Sequence, residues 1–408
     1  MQILLLTDIP PCTNYTAGLV QKQLCEFLFE EGHDVGCVSI VDPSLKPDIP
    51  NSIKQRLSVF ISYNKPSEGY GRKKFGAINS FIFNGYNRNI TLPYLSSSIS
   101  NELNKSKIKF DLIWSVIQGQ TMICLVPNVA RNLGLDYVAE VWDPPEWWLD
   151  ENRFDSYSYR KVMEAFRRLL KNAKCCLAAS HNMAKEYKEK YSAVCIPVIP
   201  SLEANSPSIK KSNNNEFHIG YSGQIYSKKE FSSFIDALDS IGWNYNGKRI
   251  ILNVFTDYID PDILKQHPNI KSSGWIPQEE LLNRLSCMDL CYCPYRFDKY
   301  FEVIARLSFP SKLTSYLKSG VPVLVHAPEY SSISSFIQDG VTGYVCNSTN
   351  VDTMVEKLKI IISDSDRERI GMMGYQLFLK FLTNETMKKS FYKSLGMCDT
   401  NYENYTDK

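Results

Sequence analysis

Two lysine-bearing motifs in the second half of the chain have the composition of phosphate sites. In the first, Gly220 and Gly223 end an apolar run and are followed by Lys228 and Lys229. Glycine lets a backbone approach a phosphate closely, and the start of a following helix offers free N–H groups and a positive dipole end. Either lysine would add a point charge to a diphosphate. The alternative is an ordinary strand–turn–helix junction with surface lysines.

The second motif covers residues 308–323 and reads SFPSKLTSYLKSGVPV. Pro310 suits the first turn of a helix, and Gly320 suits its end. Ser311 and Lys312 would then lie at a helix N-terminus, where hydroxyls, a lysine and the helix dipole together suit an anion. A well-capped helix without a ligand is the alternative.

A third motif, Gly274, Trp275 and Ile276, precedes Pro277 and a helical stretch that starts at residue 279. Backbone groups and an aromatic side chain at the end of a strand could hold a planar base. Packing of Trp275 in the core or at its rim is the alternative, since large aromatic side chains are often used in that way.

These motifs need a framework of strands that end at one edge of a sheet. Short apolar runs alternate with helical stretches along the chain, which predicts parallel sheets covered on both faces. Ser, Asn, Pro and Lys dominate residues 200–216, which predicts a linker. We therefore expect a first Rossmann-like domain over 1–200, a linker over 201–216, a second Rossmann-like domain over 217–372, and a C-terminal helix and tail over 373–408 that pack back on the first domain. The predicted strands are 3–6, 34–40, 111–116, 137–141, 175–179 and 193–196, then 217–221, 250–255, 270–274, 290–293, 323–325 and 343–346.

Composition excludes several classes of function. The formal net charge is +2, so no strong global field favours nucleic acid. The 12 cysteines show no paired CxxC spacing, which favours reduced, buried thiols over a metal site. No apolar run reaches the length of a membrane span, and residues 3–6 are too short for a signal-peptide core. We expect a cytoplasmic protein.

The order of these motifs resembles glycosyltransferase family 4, whose members have the GT-B fold of two Rossmann-like domains facing a cleft. The glycine turn and following lysine are similar to Gly223 and Lys229, and the base-flanking turn to Gly274–Ile276. The helix before "G-x-P-V" is similar to residues 313–323, and a closing "G-x-x-G" loop to residues 340–343. In the first half, the glycine-bearing loop after the opening strand is similar to residues 8–18, which implies a binding role for Gly18.

The resemblance implies a retaining, metal-independent enzyme that takes a nucleotide sugar as donor substrate and needs no cofactor. It implies donor contacts at Gly223, Trp275 and Ile276, and diphosphate stabilisation by Lys229, Lys312 and the N–H groups near Ser311. The acceptor is expected to be a glycan or a lipid-linked sugar, plausibly in the synthesis of a surface polysaccharide.

The sequence also departs from the family pattern. Gln224 stands where an Arg commonly follows the turn glycine. The two positions of a Glu-x7-Glu pair hold Leu307 and Ser315, so a hydroxyl of Thr314 or Ser315 is expected to contact the donor instead. Trp142 replaces a family histidine. The missing carboxylates keep open a non-catalytic nucleotide-sugar-binding subunit, and a sugar-nucleotide epimerase on the same fold is a further alternative.

The first domain would hold the acceptor. Asp143, at the end of a predicted strand beside Trp147 and Trp148, could orient or deprotonate an acceptor hydroxyl, with the indoles as faces for a sugar ring. The alternative is that Asp143 caps a turn and the tryptophans fill an interface. Two basic stretches with aromatic neighbours, 72–75 and 160–174, suggest peripheral contact with the inner face of an anionic membrane, and a solvated helix face is their alternative.

Overall fold

The computed structural model describes residues 1–69, 76–207 and 215–397, which form two compact α/β units. The first unit takes in residues 1–198 and the chain from Lys388 onwards, and the second takes in residues 199–387. Part of the predicted linker, 208–214, and the basic stretch 72–75 lie outside the described residues. The predicted domain bounds therefore stay predictions.

The first unit is a seven-stranded parallel sheet with helices between its strands. Residues 3–6 of the first strand are fully buried, as expected for a strand covered on both faces. The elements are β1 (Gln2–Thr7), α1 (Thr16–Glu30), β2 (Asp34–Val41), α2 (Asn51–Lys54), β3 (Leu57–Asn64), α3 (Gly76–Tyr86), a π-helical turn (Asn87–Thr91), α4 (Leu92–Lys105), β4 (Leu112–Val116), α5 (Gly119–Leu133), β5 (Tyr137–Val141), α6 (Pro145–Glu151), α7 (Ser156–Asn172), β6 (Cys176–Ala178), α8 (His181–Tyr191) and β7 (Cys195–Pro197).

The second unit repeats the plan, with one short antiparallel strand added at its sheet. Its strands carry the buried apolar core between helices on both faces. The elements are β8 (Glu216–Ser222), α9 (Lys228–Ser240), β9 (Asn244–Tyr245), β10 (Lys248–Phe255), α10 (Pro261–Gln266), β11 (Ile270–Ser272), α11 (Gln278–Leu285), β12 (Leu290–Pro294), a 3-10 turn (Lys299–Phe301), α12 (Glu302–Leu307), α13 (Ser311–Lys318), β13 (Val323–His326), α14 (Ser332–Phe336), β14 (Tyr344–Cys346), α15 (Val351–Ser363), α16 (Arg367–Phe381) and α17 (Asn384–Ser394).

Each sheet reverses its strand order once. The order is β3-β2-β1-β4-β5-β6-β7 in the first unit and β11-β10-β8-β12-β13-β14 in the second. The reversals lie between β1 and β4 and between β8 and β12. In open parallel sheets such a switch point opens a crevice at the carboxyl ends of the strands, which is where ligands bind. The loops after β1, β4, β8 and β12 are therefore the candidate ligand-binding loops.

The last helix, α17, returns to the first unit. From Lys388 onwards its residues contact that unit: the Lys388 ammonium pairs with Glu31 at 2.7 Å, and the Phe391 ring lies 4.9 Å from the Trp114 ring. The predicted packing of the C-terminal helix on the first domain is confirmed. The C-terminal helix expected within 373–408 is instead the end of α16 followed by α17, because the chain breaks at Thr383, whose hydroxyl accepts from the N–H of Thr386 and caps α17.

None of the described helices is long and apolar enough to cross a membrane.

A glycine contact between α16 and the end of α13 gives a test of the packing. A Cβ on Gly371 would lie 2.3 Å from the Gly320 carbonyl oxygen and 2.8 Å from the Pro322 ring. Gly371→Ala should therefore lower the free energy of unfolding of the second unit by about 1–3 kcal/mol, measured by urea denaturation. As a control, Gly85→Ala in α3 meets open space and should be neutral or stabilising by roughly 0.5–1 kcal/mol. An unchanged unfolding transition in the Gly371 variant would contradict the close contact.

Candidate functional site

The glycine turn after β8 lies at the switch point of the second sheet. Gly223 has a φ of 80°, a conformation in which an L side chain is strained. Its N–H donates to the Phe255 carbonyl at 2.9 Å, and the place of its missing Cβ lies 3.8 Å from the Lys312 ammonium. The two predicted phosphate motifs therefore meet: the exposed backbone of the first lies against the lysine of the second.

The Lys312 ammonium is held by tyrosines. Its Nζ donates to the Tyr221 hydroxyl at 3.1 Å and lies 4.4 Å from the Tyr221 ring centre and 5.1 Å from that of Tyr226. Burial lowers the pKa of Lys312 to about 8, and the nearby Cys293 thiol offsets part of that effect. Among the described residues no carboxylate forms an ion pair with it. A partly desolvated cation supported by aromatic faces is suited to receive an anion.

Helix α13 is fixed to the end of β8 by its own tyrosine. The Tyr316 hydroxyl accepts from the backbone N–H of Ser222 at 2.7 Å. Ser311, the first residue of α13, is exposed, so its hydroxyl and the helix N-terminus are open to solvent. This tether sets the distance between the helix start and the Gly223 turn, and it points the positive end of the helix dipole at the same region.

The loop between β11 and α11 carries the predicted base-binding residues. Gly274 has a φ of 72°, the Trp275 side chain is 68% exposed, and Ile276 is half-buried. Gln278, the first residue of α11, donates from its side chain to the Ser315 hydroxyl at 3.0 Å, which links this loop to α13. The exposed indole is therefore not packed in the core. Base contact by Trp275 stays a prediction, beside the alternative of packing at the rim of the core.

Two hydroxyls were predicted as substitutes for the missing family glutamate; both are buried, and they differ in their hydrogen-bond partners. The Thr314 hydroxyl donates to the Pro200 carbonyl at 3.1 Å. Ser315 accepts from Gln278 and so borders the base-binding loop. A donor contact for either stays a prediction, and the geometry favours Ser315, because the Thr314 proton is already committed.

Two further predicted residues follow the glycine turn. Lys229 lies exposed in the first turn of α9. The Gln224 side chain is also exposed, while its carbonyl accepts from the Tyr221 hydroxyl at 2.6 Å. That bond fixes the Tyr221 ring under Lys312. Diphosphate binding by Lys229 stays a prediction.

In the first unit, Gly18 has a steric role. It lies in α1, and a Cβ there would be 2.1 Å from the Cys12 sulfur and 3.0 Å from the Pro10 carbonyl oxygen. Glycine is needed so that the loop after β1 can pack on the helix. Ligand binding by Gly18 stays a prediction.

A buried carboxylate lies just before Asp143. Glu140 of β5 accepts from the indole N–H groups of Trp114 and Trp142 at 2.8 and 2.9 Å. Burial raises the pKa of Glu140 to about 7, and the two indole donors offset part of the rise. Trp142, in place of the family histidine, is thus a positioning partner of Glu140. Asp143 follows it at the carboxyl end of the strand and is half-buried, and its role as a base stays a prediction.

Comparisons with known proteins agree with this geometry. Residues 234–373 match the family model described as glucosyltransferase 3-like, C-terminal domain. No curated protein matches the chain in sequence. The Anabaena protein HepE in complex with UDP and glucose is similar in structure, with a TM-score of 0.63, 13% identity, and 97% of this chain and 99% of that chain covered.

Two further structures are similar over the same extent. Sucrose-phosphate synthase from Thermosynechococcus elongatus gives a TM-score of 0.66 at 13% identity, covering 97% of this chain and 99% of that one. The lipopolysaccharide outer core galactosyltransferase WaaB, in its apo form, gives 0.63 at 11% identity with the same coverage. The chain has the GT-B fold. The fold class implied by the resemblance to glycosyltransferases is therefore confirmed.

A charged cluster lies at the switch point of the first sheet, and it was not predicted from the sequence. The Lys65 ammonium pairs with Asp8 at 3.1 Å, and Glu68 accepts from the backbone N–H groups of Gln120 and Thr121 at 2.9 and 2.6 Å. Burial opposes the charge on Lys65, but the two carboxylates outweigh it and raise its pKa. No spacing in the sequence signals this cluster, because Lys65 and Glu68 follow a strand that was not predicted.

Among the described residues, no group of three His, Cys, Asp or Glu side chains is placed to hold a metal ion.

The Lys312 geometry predicts a pH-dependent affinity for nucleoside diphosphates. Its pKa near 8 means that the free site is charged at pH 7 and mostly neutral at pH 9. Binding of UDP, measured by titration calorimetry, should therefore weaken from pH 7 to pH 9. Lys312→Ala should weaken binding at pH 7 by roughly tenfold or more, the value of a hydrogen bond to a charged group.

Lys312→Arg is the matched variant, because arginine stays charged at both pH values and should remove the pH dependence. Lys265→Ala, an exposed lysine of α10, is the control and should bind UDP normally. An affinity that is unaffected by Lys312→Ala would remove this lysine from the site.

Glu140 predicts a separate pH effect, on stability. Its folded-state pKa, about 7, lies above 4.5, the ordinary pKa of a glutamate, so the folded chain holds a proton that the unfolded chain has lost in this window. Stability should fall by about 2–4 kcal/mol as pH rises from 4.5 to above 7. Glu140→Gln should flatten this dependence relative to wild type in urea unfolding at pH 5 and pH 7.5. A difference between the two proteins that does not change with pH would contradict the raised pKa.

Proposed function

We propose that this chain is a retaining, metal-independent glycosyltransferase that moves a hexose from a nucleotide-sugar donor to a glycan or lipid-linked acceptor. The observation that carries the proposal is the Lys312 ammonium, held beside Gly223 at the switch point of the second sheet. Lys312 also lies inside the stretch that matches the glucosyltransferase 3-like domain.

The chemical demand is to stabilise a nucleoside diphosphate as it leaves the anomeric carbon. Groups that already point at the developing charge do this without reorganisation. Lys312 supplies a cation, the α13 N-terminus supplies a positive dipole end near Ser311, and Gly223 lets the backbone approach. Lys229 is the further candidate cation, on the first turn of α9.

UDP-glucose is the donor to test first. The Anabaena structure was determined with UDP and glucose and also with UDP-glucose. In this chain, Trp275 and Ile276 would contact the base, and Ser315 would take the place of the ribose-binding glutamate. A hydroxyl forms a weaker hydrogen bond to a ribose than a carboxylate does, because only the carboxylate is charged.

The acceptor is assigned to the first unit. Asp143 at the carboxyl end of β5 would orient or deprotonate the acceptor hydroxyl, with Trp147 and Trp148 beside it. A role in surface polysaccharide synthesis, and a cytoplasmic location with peripheral contact to the inner face of the plasma membrane, belong to the same proposal. Asp143 is the residue whose replacement separates this role from a turn cap.

A non-catalytic subunit that binds a nucleotide sugar is the second candidate. It is favoured by Leu307 and Ser315, which stand where the family pattern has its two glutamates. Such a subunit would bind UDP through Lys312 but release none from UDP-glucose.

The deciding experiment follows the release of UDP from UDP-glucose, with bacterial membrane extract and with soluble glycans as acceptors. We expect acceptor-dependent release that EDTA does not inhibit and that Lys312→Ala lowers by roughly tenfold or more. Asp143→Asn should lower kcat by about 10²–10⁴-fold with little change in the KM for the donor, if the carboxylate acts as a base.

Glu151→Gln, an exposed carboxylate at the end of α6, is the control for Asp143→Asn. Normal turnover in Asp143→Asn at saturating donor would dismiss the base role. UDP binding without release with any acceptor would support the subunit instead, and the absence of UDP binding would overturn the proposed donor site.

A further inference from the structure

The helical segment 76–91 has its polar face buried. Ser80 and Asn84 are fully buried, and Asn87 is nearly so. The Ser80 hydroxyl donates to Asp155 at 2.8 Å, the Asn84 side-chain oxygen accepts from the Gly69 N–H at 3.2 Å, and the Asn87 amide donates to a backbone carbonyl, that of Ser67, at 2.7 Å. Hydrogen bonds rather than apolar contacts therefore hold this face of the helix to the first unit.

The opposite face is apolar and exposed. Every fourth residue from 78 to 94 carries a large apolar or aromatic side chain, and each of the five is more than half exposed. We call this row the apolar ridge; it consists of Ile78, Ile82, Tyr86, Ile90 and Tyr94. In an α-helix, residues four apart are rotated by about 40° from one another around the helix axis. The π-helical turn Asn87–Thr91 turns the chain less per residue, and so keeps the row on one side.

A pocket with cations borders the ridge. The Phe81 and Tyr157 rings meet at 5.4 Å, and Arg88, Asn89 and Lys161 line the same pocket. Cations and aromatic rings that share one pocket suit a group that is anionic at one end and apolar at the other.

The charge around the ridge is positive. Residues 76–105 contain two cations, Arg88 and Lys105, and one carboxylate, Glu102. Helix α7, which packs beside α3, carries five cations and one carboxylate, Glu164. Glu164 pairs with Lys161 at 2.9 Å, and Asp155 faces inward, where it caps α7 and bonds Ser80. The face that surrounds the ridge thus has a net positive charge.

We propose that the apolar ridge docks on the surface of an anionic phospholipid bilayer, with the ring-lined pocket taking a phosphate headgroup. A helix that places aliphatic and tyrosine side chains on one exposed face, flanked by Arg and Lys, is suited to lie in the headgroup layer. A second copy of the chain fits less well, because a two-fold symmetric dimer would place the positive face of one copy against the same positive face of the other. The inference rests on the proposed function only for its purpose, which is to bring the enzyme to a membrane-borne acceptor.

Vesicle flotation tests the docking. Wild-type protein should float with vesicles of phosphatidylcholine mixed with phosphatidylglycerol, should not float with phosphatidylcholine alone, and should bind less as salt rises. Replacing two ridge residues, Ile82→Gln with Ile90→Gln, should lower the affinity for vesicles by roughly a hundredfold or more, because about four buried carbon groups lose their contact with lipid, each at a factor of about four. Arg160→Gln with Lys161→Gln should lower binding to the mixed vesicles as well.

The controls separate docking from folding and from catalysis. Ile360→Gln, an equally exposed isoleucine of α15, should float like wild type. The ridge variant should keep the far-UV circular dichroism spectrum and the melting temperature of wild type, which shows that both units are folded. Wild-type protein that binds UDP but no mixed vesicles would overturn the docking and leave the proposed function standing. Vesicle binding without UDP release would do the reverse.

Sedimentation velocity tests the alternative occupant of the ridge, a second copy of the chain. If wild-type protein is a dimer, the ridge variant is a monomer and neither binds vesicles, the ridge is an interface between copies and the proposal is wrong. A wild-type protein that floats with mixed vesicles and whose ridge variant does not float supports it.

Discussion

The arrangement of the site in the second unit depends on the Lys312 ammonium. It lies among tyrosines and has no carboxylate partner among the described residues. Taking a cation out of water costs free energy, and the lowered pKa is the measure of that cost. The faces of Tyr221 and Tyr226 and one hydroxyl offset part of it. A bound diphosphate would offset the rest, so that binding restores the charge which folding disfavours. The left-handed turn at Gly223 and the Tyr316 tether bring the backbone and the helix start to that same cation.

At the switch point of the first sheet, a lysine that is also removed from water is stabilised in the opposite way. There Lys65 is neutralised internally by Asp8 and Glu68, and its pKa is raised rather than lowered. Such a site has little affinity left for a further anion, and it offers fixed dipoles and a rigid edge to a neutral group instead. The contrast supports a division of labour in which the second unit holds the anionic donor and the first unit holds a sugar hydroxyl.

Local pattern predicted the second unit better than the first. The β8 turn and the start of α13 were predicted because glycine and proline have strong local conformational preferences, and the lysines lie at a fixed spacing from them. Strand β3 was missed because its alternating exposure breaks the continuous apolar run of a buried parallel strand. Because β3 was not predicted, Lys65 and Glu68 were not identified as site residues. Their proximity to Asp8 depends on tertiary structure. A long separation in sequence likewise hid the bond from Thr314 to Pro200.

Segment 76–91 contains no predicted element for a related reason: Ser80, Asn84 and Asn87 are buried while its large apolar side chains are exposed, the reverse of the pattern that sequence reasoning assumes. The inversion is tied to the loop 67–69 of the first unit. Asn84 and Asn87 hold the loop 67–69 from one side, while Glu68 in that loop holds the N-terminus of α5 on the other. An apolar face there would have left the loop's backbone groups unpaired and buried. Polar residues are therefore required inside, and the large apolar side chains of the ridge are left on the exposed face.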